Sequence, residues 1–556
     1  MKTKVNWLEW NKNSFEKAKK EDKPILLDLT AVWCHWCHVM DSTSYSDDEV
    51  AEIINRDFVP VKVYIDKRPD IRERYNMGGF PSTVFLNPEG YIIAGETYVP
   101  PERFKLMLDA IKNSYKNRRN GIEKIKESGI REKNTNKTQI NNGIIKEILL
   151  SIEDNFDRFY GGFGIVPKFP SPESIDLLFL QYNKTKNKKY LEMALKTLDG
   201  MHEGIYDKVD FGFFRYSVTQ DWKMPHYEKM LDTNAGLLRN YAVAFNITKD
   251  EKYKIITTEI LSYVNNFLSD QKNFGFYGSQ DADEEFYQLS AEERRNKKYP
   301  AVDKTLYADW NAMMASSCIK SGAILNDEKI INFAIKTVDF ILENCYIVNS
   351  GLFHFFDGKA HQDGLLSDNI YFLNCLIDTY FVTQNQKYLE NIKEIAGFIL
   401  KNFYDDKNHA FFDRVIKEGD LGALKQKDKQ FLENSFAVIV FLRLYFLTKE
   451  EKYKECAEKT LMYFADSYLN FGYFAAMYAV AADMLLDGEV KVDIVNKKEM
   501  INICIGTNNQ RIVMKFIDNN SKADAGYEVE GAYICKGTLC KGPIKDSKEL
   551  EEEILS

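Results

Sequence analysis

Two short patterns alternate along most of this 556-residue chain, and they constrain its fold more than any other feature. The first pattern is a polar turn that opens a helix, and it occurs at 187–191, 250–253, 327–330, 386–389 and 450–453. The second is a glycine-aromatic loop, and it occurs at 161–164, 211–214, 274–277, 351–354, 410–412 and 471–474. Apolar residues at helical spacing fill the intervening segments, and the pair of patterns recurs roughly every 50 to 75 residues. About twelve helices in six pairs are predicted, and six such pairs can close into a ring.

The repeat therefore predicts an all-α (α/α)6 barrel over residues 143–488, with the longer glycine-aromatic loops on one face, where a site would be built. After these loops the next helices open with acidic and amide residues, which are Asp232 and Asn234, Asp309 and Asn311, Asp368 and Asn369, and Glu433 and Asn434. Helix capping is one interpretation, because Asp and Asn are preferred caps and acids suit a helix N-terminus. A binding or catalytic site is the other.

The site interpretation is favoured for His226, Glu228 and Asp232, because these three residues cannot all be caps. The acidic run at 281–285, which contains Asp281 and Asp283, is either a solvated loop or part of the same site. Its position on the presumed site face favours the second interpretation.

A different chemistry is indicated near the N-terminus, between Pro24 and His38. Residues 25–30 have the length and apolar content of a buried strand, and Cys34 and Cys37 follow at the start of a predicted helix. A helix N-terminus favours thiolate over thiol, so this geometry is typical of a reactive dithiol. The alternatives are attachment of a c-type haem, a zinc site that also uses His35 and His38, and a purely structural pair of buried cysteines.

The downstream sequence supports the dithiol, because the strand at 82–86 is introduced by Pro81 and is closed by an Asn-Pro-x-Gly turn at 87–90. Residues 6–114 resemble a thioredoxin fold, in which Pro81 matches the cis-proline that faces the dithiol. The double-histidine form at 33–38 resembles the thioredoxin-domain family typified by spermatogenesis-associated protein 20 and bacterial YyaL. The resemblance implies catalysis by Cys34, Cys37 and Pro81. It implies substrate contacts from Trp33, His35, Trp36 and His38.

Motifs at 161–170, 214–217, 225–231 and 281–283 extend the family resemblance over nearly the whole chain. The family's barrel is similar to N-acylglucosamine 2-epimerases and, more remotely, to six-hairpin glycosidases. The resemblance implies acid-base residues, which are His226, Glu228, Asp232, Asp281 and Asp283. The predicted ligand contacts come from these motifs and from the loop-to-helix junctions, and they are Lys168, Arg215, Tyr216, Trp222, Lys229, Asp309, Trp310 and Asn311. Those epimerases use histidines as acid and base, whereas only His226 of this barrel's histidines lies in a strong motif.

Four segments are predicted in all: a thioredoxin-like α/β domain at 1–118, a charged linker at 119–142 with a short helix near 122–130, the barrel at 143–488, and a small α/β tail at 489–556. The tail should contain strands at 490–495 and 511–516 and a charged helix at 545–555. Its Cys535 and Cys540 could close a disulfide, relay electrons from the first pair, or have no redox role. The remaining cysteines lie in apolar surroundings and are expected in the core: Cys318, Cys345, Cys375, Cys456 and Cys504.

Composition limits the function further, because a net charge of −9 argues against binding nucleic acid or an anionic membrane. The chain shows no secretory signal and no run of about 18 apolar residues, so we expect a cytoplasmic protein without a membrane partner. No cofactor and no metal are expected. The first function to consider is a thiol-disulfide oxidoreductase with a protein disulfide or a reductase as partner. The alternatives are a carbohydrate-acting enzyme with a small sugar-like ligand, whose thioredoxin-like domain regulates or binds, and a binding protein with a degenerate barrel.

Overall fold

The computed structural model describes residues 4–117, 139–518 and 526–555, which fall into two compact units. The first unit is Met1–Asn136 with Asp281–Asp283 and Arg414–Asp428, and the second is the rest of the chain. The helix predicted near 122–130 lies outside the described residues. The domain limits at 118, 142 and 488 stay predictions.

The first unit is a four-stranded mixed sheet with helices, as the thioredoxin fold requires. Its strands are β1 (Ile25–Thr30), β2 (Val59–Tyr64), β3 (Ser82–Leu86) and β4 (Ile92–Glu96). Its helices are α1 (Lys12–Glu21), α2 (His35–Ser42), α3 (Asp48–Asp57), α4 (Pro69–Tyr75) and α5 (Pro101–Asn117). The strand order is β2-β1-β3-β4, with β2 parallel to β1 and the other two neighbouring pairs antiparallel. The predicted thioredoxin-like fold is confirmed.

Local sequence explains the elements that frame the dithiol. All six residues of β1 are buried, since this strand is central in the sheet. The β3–β4 turn is closed by Asn87, whose Oδ1 accepts hydrogen bonds from the backbone of Glu89 and Tyr91 at 3.1 and 2.8 Å. Gly90 follows with φ +89°, a conformation that glycine adopts without strain.

Twelve helices of the described part of the second unit form six pairs. The inner helices are α7 (Pro172–Thr185), α9 (Leu231–Thr248), α13 (Ala308–Leu325), α15 (Leu366–Thr383), α17 (Phe431–Thr448) and α19 (Ala476–Asp487). The outer helices are α6 (Asn142–Asn155), α8 (Lys188–Gly204), α10 (Glu251–Tyr263), α14 (Glu328–Asn344), α16 (Gln386–Phe403) and α18 (Glu451–Phe464). Each inner helix packs against the next, and α19 packs against α7 and so closes the ring. The predicted (α/α)6 barrel is confirmed, and α6 completes it by pairing with α19.

Four of the five polar turns mark outer helices that begin with a side-chain N-cap, and the turn at Glu450 does not. Asn187, Asp250, Asp327 and Asn385 each accept a hydrogen bond from the backbone two residues further on, at the starts of α8, α10, α14 and α16. The inner helices are more uniformly apolar, because they are covered by neighbours on several sides.

Two apolar segments of the described chain, Phe431–Thr448 and Tyr468–Asp487, are long and apolar enough to cross a membrane by composition alone. No such segment is expected from the sequence, which has no run of about 18 apolar residues. Of their apolar windows, 72% and 50% respectively are buried within the barrel, and core helices commonly have this composition.

Short strands and two short helices shape the loops of the barrel. The strands are β5 (Tyr216–Ser217), β6 (Pro225–His226), β7 (Lys229–Met230), β8 (Ser269–Asp270), β9 (Gly275–Phe276), β10 (Ser279–Gln280), β11 (Val302–Asp303), β12 (Leu306–Tyr307), β13 (Tyr346–Ile347), β14 (Gly351–Phe356) and β15 (Ala360–Asp363). The helices are α11 (Glu284–Tyr287) and α12 (Ala291–Arg295).

The tail folds as β16 (Val490–Val495), α20 (Met500–Gly506), β17 (Ile512–Ile517), β18 (Gly531–Lys536), β19 (Leu539–Ile544) and α21 (Ser547–Leu555). Its sheet has the order β17-β16-β18-β19. The predicted small α/β tail is confirmed, with both predicted strands and the C-terminal helix within two residues of their expected starts.

Candidate functional site

The dithiol lies at the N-terminus of α2, where the strand-turn-helix pattern predicted it. Cys34 is the N-cap residue, and its Sγ accepts a hydrogen bond from the backbone N–H of Cys37 at 3.1 Å. The two cysteines form a disulfide, with their Cα atoms 5.2 Å apart. They are 3% and 2% exposed. In the reduced protein the same N–H group and the helix dipole would stabilise a thiolate on Cys34.

The predicted substrate contacts around the dithiol differ in exposure. Trp33 is buried, and its indole N–H donates to Asp66 at 2.5 Å. Trp36 is 44% exposed and lies against Tyr98, with ring centroids 5.1 Å apart. His35 is half-buried and His38 is exposed. Trp36 and the two histidines are therefore the side chains of the pattern that a partner can reach.

Pro81 follows a cis peptide bond after Phe80, as the resemblance implied. It directly precedes β3, the strand that pairs with β1. Since α2 with its dithiol follows β1, and β3 runs antiparallel to β1, Pro81 and the dithiol belong to the same end of the sheet.

A buried acid lies in the strand before the dithiol. Asp28 in β1 is 1% exposed, and its Oδ2 is 3.1 Å from the ammonium of Lys62. Lys62 also contacts Asp41 in α2 at 2.6 Å. Burial raises the pKa of Asp28 to about 6 despite the lysine, so this carboxyl can take up and release a proton near neutral pH.

Asp281 and Asp283, which the sequence analysis grouped with the barrel acids, lie in the first unit. The nearest oxygen of Asp281 is 3.7 Å from Nδ1 of His38, so a protonated His38 would form an ion pair with it. Asp283 is exposed.

The barrel encloses a cavity of about 690 Å³, which is large enough for a small organic ligand. Two predicted residues, Arg215 and Asp232, line it. The sequence analysis missed the other charged and aromatic lining residues, among them Glu173, Asp176, Arg239, Lys320, Tyr371, Phe436 and Tyr473. The signal that could have found Arg239 and Lys320 is a lone cation inside an otherwise apolar helix, because such a charge is costly without a partner or a cavity.

Aromatic rings and an ion pair give the cavity wall its shape. Tyr371 and Phe436 stack with ring centroids 4.4 Å apart. Arg239 contacts Asp176 at 2.6 Å, across from α9 to α7. A wall of stacked rings beside fixed charges suits a polar ligand that has an apolar face.

A buried cluster of Asp309, His354 and Asp368 lies at the start of α13 and α15, and the sequence analysis did not bring it together. Nδ1 of His354 is 2.8 Å from Asp368, and one ligand atom from each of the three residues lies within 4.8 Å of the others. Burial and the neighbouring carboxylate of Asp368 raise the pKa of Asp309 to about 7. Two carboxylates and an imidazole are also a set that could hold a divalent cation such as zinc.

Neither Asp309 nor Asp368 is the N-cap residue of its helix, although both lie in the first helical turn. The N-cap residues of α13 and α15 are Tyr307 and Leu365, and neither uses its side chain as a cap. Asp309 is in the first turn and accepts from the backbone of Trp310 at 2.8 Å. The two acids therefore lie inside the helices.

The other predicted barrel residues lie around the loops. His226 stacks on Tyr216 at 4.4 Å, and its Nδ1 is 3.6 Å from Glu228. Tyr216 stacks in turn on the cavity-lining Phe169 at 4.6 Å. This ladder of rings connects His226 to the cavity wall.

Five predicted ligand contacts have their partners inside the protein instead. Lys168 and Lys229 are buried in ion pairs with Asp157 and Asp207, at 2.7 and 2.6 Å. Trp222 is fully buried, and Asn311 holds a loop in place. Trp310 is 9% exposed and packs on Tyr307, with ring centroids 4.7 Å apart. A ligand role for these residues stays a prediction.

The fold and the sites define a class of protein: a thioredoxin-like domain with a Cys-x-x-Cys pair, followed by an (α/α)6 barrel. Residues 1–133 match the family described as "Protein of unknown function, DUF255", whose model is called Thioredox_DsbH. Human spermatogenesis-associated protein 20 is 27% identical to the chain, over 77% of the chain and 71% of the human protein. The chain is thus similar to a protein of that name over most of the length of both.

Two further similarities concern the separate domains. A thioredoxin H-type protein from Fagopyrum esculentum is 37% identical over 14% of this chain and 63% of its own length. The crystal structure of a D-mannose isomerase matches 62% of this chain and 96% of that chain, with a TM-score of 0.51 and 12% identity. At that identity the similarity shows the barrel fold alone.

Proposed function

We propose that the protein is a thiol-disulfide oxidoreductase whose catalytic dithiol is Cys34 and Cys37. The observation that carries the proposal is the position of Cys34 as the N-cap of α2, with its sulfur already accepting the N–H of Cys37. The same unit presents Pro81 at the end of the sheet where the dithiol lies. The similarity of this region to a plant thioredoxin supports the proposal.

In the proposed reaction the reduced protein transfers two electrons to a substrate disulfide. The Cys34 thiolate attacks one sulfur of the substrate, so a mixed disulfide forms and the other substrate sulfur leaves as a thiolate. The Cys37 thiolate then attacks Cys34, which closes the Cys34–Cys37 disulfide and releases the second substrate sulfur. The two protons of the Cys34 and Cys37 thiols end on the substrate dithiol. A dithiol reductase completes the cycle by reducing the pair again.

Asp28 is the proposed proton acceptor for Cys37. Its pKa of about 6 lets it be ionised at neutral pH and still bind a proton readily. Lys62, which contacts both Asp28 and Asp41, would hold the negative charge in place after the proton has left.

The test is reduction of insulin disulfides by the dithiothreitol-recycled protein, together with mass-spectrometric thiol counting across a dithiothreitol series. We expect one two-electron transition for the Cys34–Cys37 peptide, with a potential roughly between −270 and −120 mV. Cys34→Ser should abolish turnover, and Cys37→Ser should accumulate the mixed disulfide.

The matched control is Cys318→Ala, which removes a buried, unpaired thiol and should leave insulin reduction unchanged. Full activity in Cys34→Ser, or a Cys34–Cys37 pair that stays reduced at every ratio of oxidised to reduced dithiothreitol, would contradict the proposal.

A second candidate function is acid-base chemistry on a sugar-like ligand in the barrel. The observation that favours it is the Asp309–His354–Asp368 cluster. Asp232, which lines the cavity, adds its charge to the effects of burial and of Asp368 that raise the pKa of Asp309, so the cluster and the cavity interact electrostatically. A group with a pKa of about 7 can both remove and return a proton, which epimerisation and isomerisation require.

The probe is exchange of the C2 proton of D-mannose or N-acetylglucosamine with solvent, measured in D₂O by loss of the proton NMR signal. Asp309→Asn should abolish any exchange, whereas Glu343→Gln on the exposed side of the outer helix α14 should not. Absence of exchange with the wild-type protein would leave the barrel as a binding domain for the oxidoreductase.

A further inference from the structure

The tail sheet has the same strand order and directions as the sheet of the first unit. In the first unit β1 pairs in parallel with β2 and antiparallel with β3, and β3 pairs antiparallel with β4. In the tail β16 pairs in parallel with β17 and antiparallel with β18, and β18 pairs antiparallel with β19. A helix follows the last strand in both, α5 in one and α21 in the other. The tail therefore contains a second four-stranded sheet of thioredoxin order.

The two sheets carry their cysteine pairs at opposite ends. In the first unit the dithiol follows the C-terminal end of β1. In the tail Cys535 and Cys540 face each other across the β18–β19 hairpin, and Cys535 pairs with Lys491 near the start of β16. The tail pair is thus not a copy of the first site, and its chemistry has to be argued from its own surroundings.

The surroundings of the tail pair suit exchange with an external thiol. Cys535 and Cys540 form a disulfide, with Cα atoms 4.1 Å apart. Cys540 is exposed and Cys535 is half-buried, next to a turn of Gly537 and Thr538. An attacking thiolate therefore has direct access to the sulfur of Cys540.

Cationic side chains flank the pair in sequence, and the other described cysteines are poor candidates. Lys536 follows Cys535 and Lys541 follows Cys540, and hydrogen bonds from Lys541 to Glu553 and Glu549 raise the pKa of that lysine. Because Lys541 is already paired with these two glutamates, at 2.6 and 3.0 Å, the exposure of Cys540 rather than a lysine charge favours exchange at this pair. By contrast, the unpaired cysteines are all buried, and burial raises the pKa of each thiol: Cys318, Cys345, Cys375, Cys456 and Cys504.

We infer that Cys535–Cys540 is a second exchangeable disulfide, and that its reaction partner is a dithiol reductant that approaches the exposed hairpin. The reductant's thiolate attacks Cys540, so a mixed disulfide forms and Cys535 leaves as a thiolate. The reductant's second thiolate then attacks the reductant's first sulfur, which is bonded to Cys540 in the mixed disulfide, and Cys540 leaves as a thiolate. Two electrons pass to the tail pair, the reductant becomes a disulfide, and its two protons end on Cys535 and Cys540. The inference does not depend on the activity of Cys34 and Cys37.

The test is thiol counting on the folded full-length protein across a dithiothreitol series, with the two cysteine pairs resolved as separate peptides. We expect the Cys535–Cys540 peptide to pass from disulfide to dithiol without denaturant, and to do so equally in the double variant Cys34→Ser with Cys37→Ser. In the variant Cys535→Ser with Cys540→Ser this transition should be lost, while the Cys34–Cys37 transition remains.

Single variants identify the attacked sulfur. With oxidised glutathione as the probe, Cys535→Ser leaves Cys540 free and should form a glutathione adduct about tenfold faster than Cys540→Ser does, because Cys540 is more accessible. A tail pair that stays oxidised in excess dithiothreitol until urea is added would overturn the inference and show a structural cross-link only. A pair that remains two thiols at every ratio would overturn it as well.

Discussion

Replacing Asp28 by asparagine should stabilise the first unit at neutral and alkaline pH, although it removes a carboxylate that contacts a lysine. Asp28 is 1% exposed, and burial raises its pKa from 3.8 to about 6. A shift of about two pKa units corresponds to about 3 kcal/mol between the charged and the neutral form. The folded carboxyl binds its proton more tightly than the unfolded one, so the penalty is absent below about pH 4, grows up to about pH 6 and is complete above it.

The partner of Asp28 does not reverse this expectation. After the substitution Lys62 keeps its ion pair with Asp41 at 2.6 Å, so the lysine charge still has a counter-ion. The Lys62 side chain is also 12% exposed to solvent. We therefore expect a gain of up to about 3 kcal/mol at pH 8 and little difference at pH 4.

The assay is urea unfolding followed by tryptophan fluorescence, because Trp7, Trp10, Trp33 and Trp36 of the chain's six tryptophans lie in the first unit. Hydrogen exchange of peptides from β1 and β2 reads the same unit separately. Asp41→Asn is the matched control: it leaves the buried Asp28 charged and should lower stability at pH 8. A loss of stability for Asp28→Asn at pH 8, or an equal gain at pH 4, would refute the reasoning.

Three further substitutions test the barrel loops by thermal or urea unfolding. Asn311→Ala should cost about 2–4 kcal/mol, because it removes three buried hydrogen bonds, whereas the exposed Asn344→Ala should cost less than about 0.5 kcal/mol. Burial raises the pKa of Asp405, but hydrogen bonds from Lys429 and Asn408 outweigh it and lower the pKa to about 2. Asp405→Asn should therefore cost about 2 kcal/mol of stability at pH 7. The difference in stability between variant and wild type should vanish as pH falls from about 4 to 2. Gly162→Ala should cost about 1–3 kcal/mol, because Gly162 has φ +85° and a Cβ on it would collide with the Trp222 ring. Gly397→Ala should be neutral or stabilising, because a Cβ on Gly397 would meet open space. Equal effects in either matched pair, or a pH-independent cost at Asp405, would contradict these assignments.

The parts of the fold that the sequence could predict are those set by local pattern. β1 was predicted to the residue, because a six-residue apolar run between a proline and a Cys-x-x-Cys motif leaves little choice. The barrel was predicted because each repeat must bury its apolar face against the next. Both arguments need only neighbours in sequence or in the repeat.

The parts of the candidate site that the sequence could not predict depend on long-range packing. His354 lies in strand β14 and meets Asp309 and Asp368 only because α13 and α15 are adjacent in the ring. Lys168 and Lys229 were predicted as ligand contacts from their motifs, but the structure buries them against Asp157 and Asp207 in the glycine-aromatic loops. Neither the buried cluster nor the two buried ion pairs can be predicted from residue spacing in the sequence, since both depend on which loop lies beside which helix.

The acid-amide pattern at the inner helices is ambiguous in the sequence because the acids and the amides, in nearby positions, have different roles. The buried asparagines accept a backbone N–H of the glycine-aromatic loop and donate to the carbonyl four residues earlier in their own helix: Asn234, Asn311, Asn369 and Asn434. The amide side chains thus supply hydrogen bonds to backbone groups of the loops and of the helix starts, which would otherwise need another partner.

The neighbouring acids are consequently available for the interior of the barrel. Burial raises the pKa of Asp309, and the charges of Asp368 and Asp232 raise it further. Burial likewise raises the pKa of Tyr371, and the charges of Glu173 and Glu433 add to the effect. Burial and nearby like charges both disfavour ionisation of a carboxyl, so Asp309 can hold a proton near neutral pH. The repeat therefore explains why carboxyls collect at one end of the barrel, and burial together with the neighbouring carboxylates explains why the pKa of Asp309 is raised to about 7.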